Sequence, residues 1–361
     1  MDDTAAADAE TLPPLYQKWA ISLLSAPIPR ERVATCSDCA MCVPKEEQHD
    51  GVGYYQRSLK CCTYFPKLPN YLVGRAIDGD NPGAARLRGF IAAGSGEGKA
   101  NPLGVFPGTH YSVLYSATST ESFGKDPGLL CPYAIEAEAP EGPRCGIWQH
   151  RNAVCTSYFC KHVRGQTGNI FWQSFRNLLI DMESSLAWWA AVEVIPEAGP
   201  LLGSLPVGDP HNFELPADAD AWRWWKGSRE AFYRATSELV EALDWDDALA
   251  IAGIKARMRA RESQSRFAAA TTTVVPARVR TATYQVISPG ERATVIQAPG
   301  SMETFQVPSA LLPLLVYFDG RETETILVDI KERTGISVTS ALVRKLCDFR
   351  VLQPVDDGGT A

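Results

Sequence analysis

Nine of the chain's ten cysteines fall before residue 161, and this segregation constrains the fold more than any other feature. Cys36, Cys39, Cys42, Cys61, Cys62, Cys131, Cys145, Cys155 and Cys160 share the N-terminal half, while Cys347 stands alone near the other end. Thiols that served only as small core hydrophobes would be spread through every domain. Clustered thiols mean disulfides, catalysis or metal, and the redox compartment decides among these. The first 30 residues begin acidic (Asp2, Asp3, Asp8, Glu10) with no basic region ahead of an apolar run, which argues against a secretory signal. No apolar stretch approaches 18 residues, since even 178–194 is broken by Asp181, Glu183 and Glu193. A cytoplasmic protein with no membrane segment is expected. In a reducing compartment its nine clustered thiols read as metal ligands.

The spacing of the first group supports that reading. Cys36, Cys39 and Cys42 are separated by two residues each, a spacing that lets one turn aim two sulfurs at one metal. The run also begins the ferredoxin-type pattern of cluster ligands, but the fourth cysteine is missing, so Cys61 or Cys62 is the nearest candidate to complete it. Further along, Cys145, His150, Cys155 and Cys160 stand five apart. Neither a helix nor a strand aligns every fifth residue, so only a folded-back loop brings them together. His150 and His162 are further candidate ligands, with a second-shell or surface position as the alternative for each. Eight thiolates complete two four-cysteine sites, leaving the ninth free or replaced by histidine. The C-x2-C-x2-C run and the lack of zinc-finger histidine spacing favour an iron–sulfur cluster over zinc.

Cys131-Pro132-Tyr133, followed by Cys145-x-Ile147-Trp148-x-x-Arg151-x-x-x-Cys155, resembles the YkgJ-type cysteine-cluster proteins, a zinc- or iron-chelating family. The resemblance spans roughly residues 36–160 and implies that these cysteines chelate metal. Two departures stand out. The paired cysteines, Cys61 and Cys62, lie 19 residues beyond Cys42, and Asn152 stands where the family has proline. The first puts in question whether Cys36, Cys39 and Cys42 share a metal with Cys61 and Cys62.

With 361 residues, 45% apolar and 21% charged, the chain has the composition of a globular protein of two or three domains. The expected fold class is α+β, in five parts. Residues 1–30 form an acidic lead and a short helix near Leu15–Leu24, and 31–165 form a loop-rich, metal-stabilised cysteine domain with one helix near Gly83–Ala93. The Gly94–Lys99 stretch is read as a turn, because a phosphate loop needs glycine at Ala93 and Ser or Thr at Ala100. Residues 166–262 form a helical region. Phe171, Phe175, Leu178, Leu179, Met182, Leu186 and Trp189 predict a helix over 168–194, and others fit 217–243 (capped by Asp218 or Asp220) and 246–261. Trp222, Trp224 and Trp225 are read as helix packing, with a ligand cage as the alternative. Residues 263–282 are an Arg/Ala/Thr-rich linker.

Residues 283–361 are expected to form a winged-helix-like domain: a helix over Leu311–Phe318, a tight Asp319-Gly320 turn, a helix ending at Gly335, a helix capped by Thr339 or Ser340, and a strand at Val351-Leu352. This pattern is similar to PqqD-type modules, a resemblance that implies binding of a peptide as an added strand. Cys347 is expected to be a packing residue. The net charge of −7 for the chain, and of −3 for residues 301–361, makes a nucleic-acid partner unfavourable. No nucleophile–base motif or dinucleotide fingerprint is present. The leading expectation is therefore a metal-binding protein, iron–sulfur or zinc, with a C-terminal module for a peptide or protein. The alternatives are an iron–sulfur redox or peptide-modifying enzyme and a metal- or redox-responsive DNA-binding regulator.

Overall fold

The computed structural model describes residues 12–37, 39–48, 52–135, 142–203 and 222–355, and the architecture is α+β. Helix α1 (Pro14–Leu24) opens with proline at its first position and stops at Ser25 in the left-handed region. It buries Tyr16, Trp19, Ala20 and Leu23. Strand β1 (Leu68–Pro69) leads into α2 (Asn70–Ala76), and then α3 (Pro82–Ala93) begins with the Asn81 side chain accepting from Ala84 N. Strands β2 (Gly98–Asn101) and β3 (Gly104–Pro107) form a hairpin, and β1 adds on the far side to give the antiparallel order β1-β3-β2. The expected turn at Gly94–Lys99 thus runs directly into a strand. Helix α4 (Thr109–Ser122) follows where the sequence pattern gave no helix; its Tyr111 and Tyr115 stack on each other on one face. A short ladder pairs β4 (Ala134–Ile135) with β5 (Arg144–Cys145), and α5 (Ala153–Ser157) closes this half.

The central element is α6 (Gly165–Val194), 30 residues and thus about 45 Å long. The apolar stripe predicted over 168–194 faces inward as expected: Phe171, Phe175, Leu178, Leu179, Met182 and Leu186 are all buried. After the short α7 (Gly199–Gly203) the chain is described again from Trp222. The helix expected over 217–243 is α8 (Arg229–Ala242), capped by Ser228, and the proposed caps Asp218 and Asp220 lie outside the described residues. Trp222 and Trp225 sit in the turn before it and pack edge-on against Phe232, which fits the packing reading rather than a cage. Helix α9 (Trp245–Thr271), capped by Asp244, is kinked at Gly253 (φ 82°) and runs ten residues past the predicted Arg261. The expected linker over 263–282 is thus helical as far as Thr271. Its Ala and Arg residues are strong helix formers, and Ser263 and Ala270 are buried.

Beyond α9, β6 (Arg278–Thr281) already belongs to the C-terminal unit, which therefore starts before residue 283. Strands β7 (Gln285–Ser288), β8 (Ala293–Gln297) and β9 (Thr304–Pro308) form an antiparallel meander. The predicted helix over Leu311–Phe318 is a 3-10 segment (Ser309–Tyr317) carrying Pro313, and the predicted Asp-Gly turn is a strand, β10 (Asp319–Glu322). Helix α10 (Thr323–Thr334) ends at Gly335 (φ 73°), as expected. Helix α11 (Ser340–Asp348) is capped by Thr339, and β11 (Leu352–Pro354) completes the order β10-β6-β11. The central place in that sheet is taken by β6, from upstream, and no described strand follows β11. Cys347 packs at the edge of this unit's core. Among the described residues no helix is long and apolar enough to cross a membrane.

Candidate metal centre: a thiol-lined cavity

The cysteines reach one another through loops pinned by backbone hydrogen bonds. Cys42 N donates to Cys39 O (2.9 Å), closing the first C-x2-C turn. Lys60 takes φ 51°, a conformation uncommon for a non-glycine residue, and Cys62 N closes back on Leu59 O (3.0 Å). That reversal presents Cys61 and Cys62 together. The Lys60 ammonium spans the gap to two other segments, donating to Cys36 O (2.6 Å) and Pro143 O (3.5 Å). Cys131 N donates to Cys62 O (2.8 Å), and Cys145 pairs with Ala134 in the β4–β5 ladder. Asn152 caps α5: its Oδ1 accepts from Cys155 N (3.0 Å). Cys160 follows that helix directly.

These segments enclose a cavity of about 540 Å³, whose wall includes Cys36, Cys39, Cys61, Cys62, Cys131, Cys145, Cys155 and Cys160. Eight of the nine predicted cysteines are thus brought to one space. Cys42 is buried outside the wall, its side chain interacting with that of Cys39. Within the wall, the Cys160 side chain also interacts with Cys39, and Cys62 with Cys61. Among the described residues, no three His, Cys, Asp or Glu side chains stand close enough together, as placed, to hold a metal ion. The thiols line the cavity in pairs and singly. All ten cysteines are free of disulfides.

The electrostatics divide the thiols. Side-chain hydrogen bonding with Cys160 and Cys42 lowers Cys39 to about 3. A hydrogen bond from Cys62 likewise lowers Cys61. Burial raises Cys36 to about 12 and also pushes up Cys131, Cys145 and Cys155. Buried thiols held neutral in this way ionise when a metal cation supplies the compensating charge. An all-thiol donor set is soft, which suits an iron–sulfur cluster or zinc and disfavours the hard oxygen-seeking cations.

The histidine candidates lie elsewhere. His150 lies outside the wall, and burial is the chief cause of its lowered pKa. His162 is buried with Nδ1 2.7 Å from Glu303 Oε1, turned to the C-terminal unit rather than into the cavity.

Several wall residues carried no signal in the spacing of cysteines. Lys60, Arg151 and Arg176 bring positive charge, while Tyr55, Tyr64, Tyr115, Tyr158 and Phe159 form an aromatic side. Behind the wall, Glu183 of α6 accepts from Ala153 N (2.6 Å) and from the Tyr16 hydroxyl, anchoring the start of α5 and with it Cys155. No protein-family model, no curated protein and no solved structure matches this chain, so the geometry of the cavity and its own residues carry the functional argument.

Proposed function

We propose that the protein is a cysteine-cluster metalloprotein whose thiol-lined cavity holds an iron–sulfur centre, or else zinc, and whose C-terminal unit docks a peptide or protein. The observation that carries this reading is the convergence of eight cysteines, from segments up to 124 residues apart, on one cavity. A single zinc ion needs four sulfurs drawn to about 2.3 Å around one point. A space of about 540 Å³ walled by eight thiols better suits a sulfide-bridged cluster, or two centres. When bound, such a cluster supplies one-electron chemistry, and Cys36, Cys39, Cys61, Cys62, Cys131, Cys145, Cys155 and Cys160 are the residues that would hold it. The YkgJ-type resemblance of residues 36–160 points the same way. For the C-terminal unit, the supporting features are its PqqD-like pattern and the outer edge of β7, which among the described residues pairs only with β8 and offers backbone groups to an added strand.

The test is anaerobic purification followed by metal analysis and a visible spectrum. Iron, acid-labile sulfide and absorption near 400 nm are expected. Cys131→Ser and Cys145→Ser should each lower the metal content by half or more, and Cys347→Ser should leave it unchanged. Wild-type protein without either metal would sink the proposal. A second reading, a redox or peptide-modifying enzyme, is favoured by the room beside the thiols along Tyr64, Tyr115 and Tyr158. Under that reading a cysteine variant that stays folded loses turnover.

A further inference from the structure

The cavity wall contains three buried or half-buried cations, and they differ in what they bond. Lys60 spends its ammonium on two backbone carbonyls. Arg176 donates through Nε and Nη2 to the hydroxyl and carbonyl of Ser157. Arg151 is different. Its guanidinium lies over the Trp148 ring, 3.4 Å from the centroid, and Nη1 donates to Cys155 O (3.1 Å). Its Nε is buried and has no hydrogen-bond partner among the described residues. The residue is 9% exposed, and no carboxylate among the described residues pairs with it. A buried charged donor left unbonded keeps its full desolvation penalty, so a fold that fixes one by stacking and by a second hydrogen bond has a use for it.

The surroundings identify the acceptor. Arg151 lies between the Cys145 turn and α5, and its charge bears on four thiols at once: Cys36, Cys61, Cys145 and Cys155. All four are sulfur donors, and the one carboxylate among the described residues of the wall, Glu31, already accepts from Val163 N and Trp172 Nε1. We infer that Arg151 is a positioning residue that donates its Nε–H to an anionic sulfur of the metal centre, whether a thiolate or a bridging sulfide. This rests on the metal-centre reading above and adds to it one defined hydrogen bond. A donor of this kind stabilises the reduced, more negative state of a cluster and so raises its potential. On a zinc–thiolate centre it slows loss of the metal instead.

The test compares wild type with Arg151→Met, which removes both charge and donor, and Arg151→Lys, which keeps the charge but not the planar donor. Far-UV circular dichroism serves as the folding control. For an iron–sulfur centre, Arg151→Met is expected to make reduction at least tenfold harder, a fall of about 59 mV for one electron, with Arg151→Lys intermediate. For a zinc centre, release to a chelator should be at least tenfold faster in Arg151→Met and again intermediate in Arg151→Lys. Metal-loaded variants that both match wild type in potential and in release rate would overturn the inference while leaving the metal-centre reading standing. Wild-type protein that carries no metal overturns both. If Arg151→Met does not fold, Arg151→Lys alone decides, because it too lacks the fixed Nε–H of the planar guanidinium.

Discussion

Glu183 shows how a single residue changes meaning between the string and the fold. In the sequence it is one of the charges that interrupts an apolar run; in the fold it is 3% exposed, inside α6, with its carboxyl bonded by Tyr16 and by Ala153 N. Burial lifts its pKa to about 8, far above an ordinary glutamate. A carboxyl whose folded pKa is raised binds its proton more tightly in the native state. Stability therefore falls as pH rises from about 4.5 towards 8. Glu183→Gln keeps an acceptor for both donors and cannot ionise. Denaturant melts between pH 5 and 8 should show the wild type losing on the order of a few kcal/mol across that window and the variant staying nearly flat. A wild-type curve without slope would show the carboxyl to be ionised at no cost. The cysteines were legible by contrast, because spacing and segregation are properties of the string. Lys60 at φ 51° and the unspent donor of Arg151 were not, since a backbone reversal and a missing partner exist only after folding.

Among the elements, those with a strong 3.6-residue apolar stripe were read correctly, and those positioned by tertiary contact were not. Helix α6 carries its stripe openly. Helix α4, Thr109–Ser122, is rich in Ser, Thr and Tyr, poor helix formers, and has no fully buried residue, so its pattern is hidden. The predicted helix over Leu311–Phe318 fails as an α-helix because Pro313 lacks the N–H that an α-helical interior requires, and a 3-10 segment results. The crossing of α2 and α8 depends on one glycine: a Cβ on Gly74 would stand 2.0 Å from Tyr233 O, a backbone atom that cannot swing aside. Gly74→Ala should therefore cost about 1–3 kcal/mol by overpacking, seen as a lower midpoint in thermal or urea denaturation. An unchanged midpoint would mean that the two helices separate freely.

Across the whole molecule, the C-terminal unit does not hang free from the cysteine-bearing half. It grips the eight residues that begin at Cys160. Lys161 Nζ donates to Thr304 Oγ1 (3.0 Å), and His162 bonds Glu303. Gln166 accepts from Ser301 Oγ (3.0 Å). Arg164 pairs with buried Asp348, which Arg344 also holds (2.8 Å). From the other side Glu31 accepts from Val163 N (2.6 Å) and Trp172 Nε1 (2.8 Å). Removing one partner of a buried ion pair strands the other, so Asp348→Ala should destabilise the fold by about 3 kcal/mol and raise deuterium uptake across 160–167. Equal uptake in variant and wild type would show the grip to be incidental. No sequence pattern announced this contact, because its partners lie more than 130 residues apart. The grip also has a consequence for how the protein is made. Its partners, Ser301 to Asp348, are synthesised well after Cys160, so a nascent chain carrying all nine N-terminal cysteines still lacks the C-terminal anchors of the Cys160 arm. The other segments of the wall can assemble while that arm is loose, and synthesis of α11 then closes it.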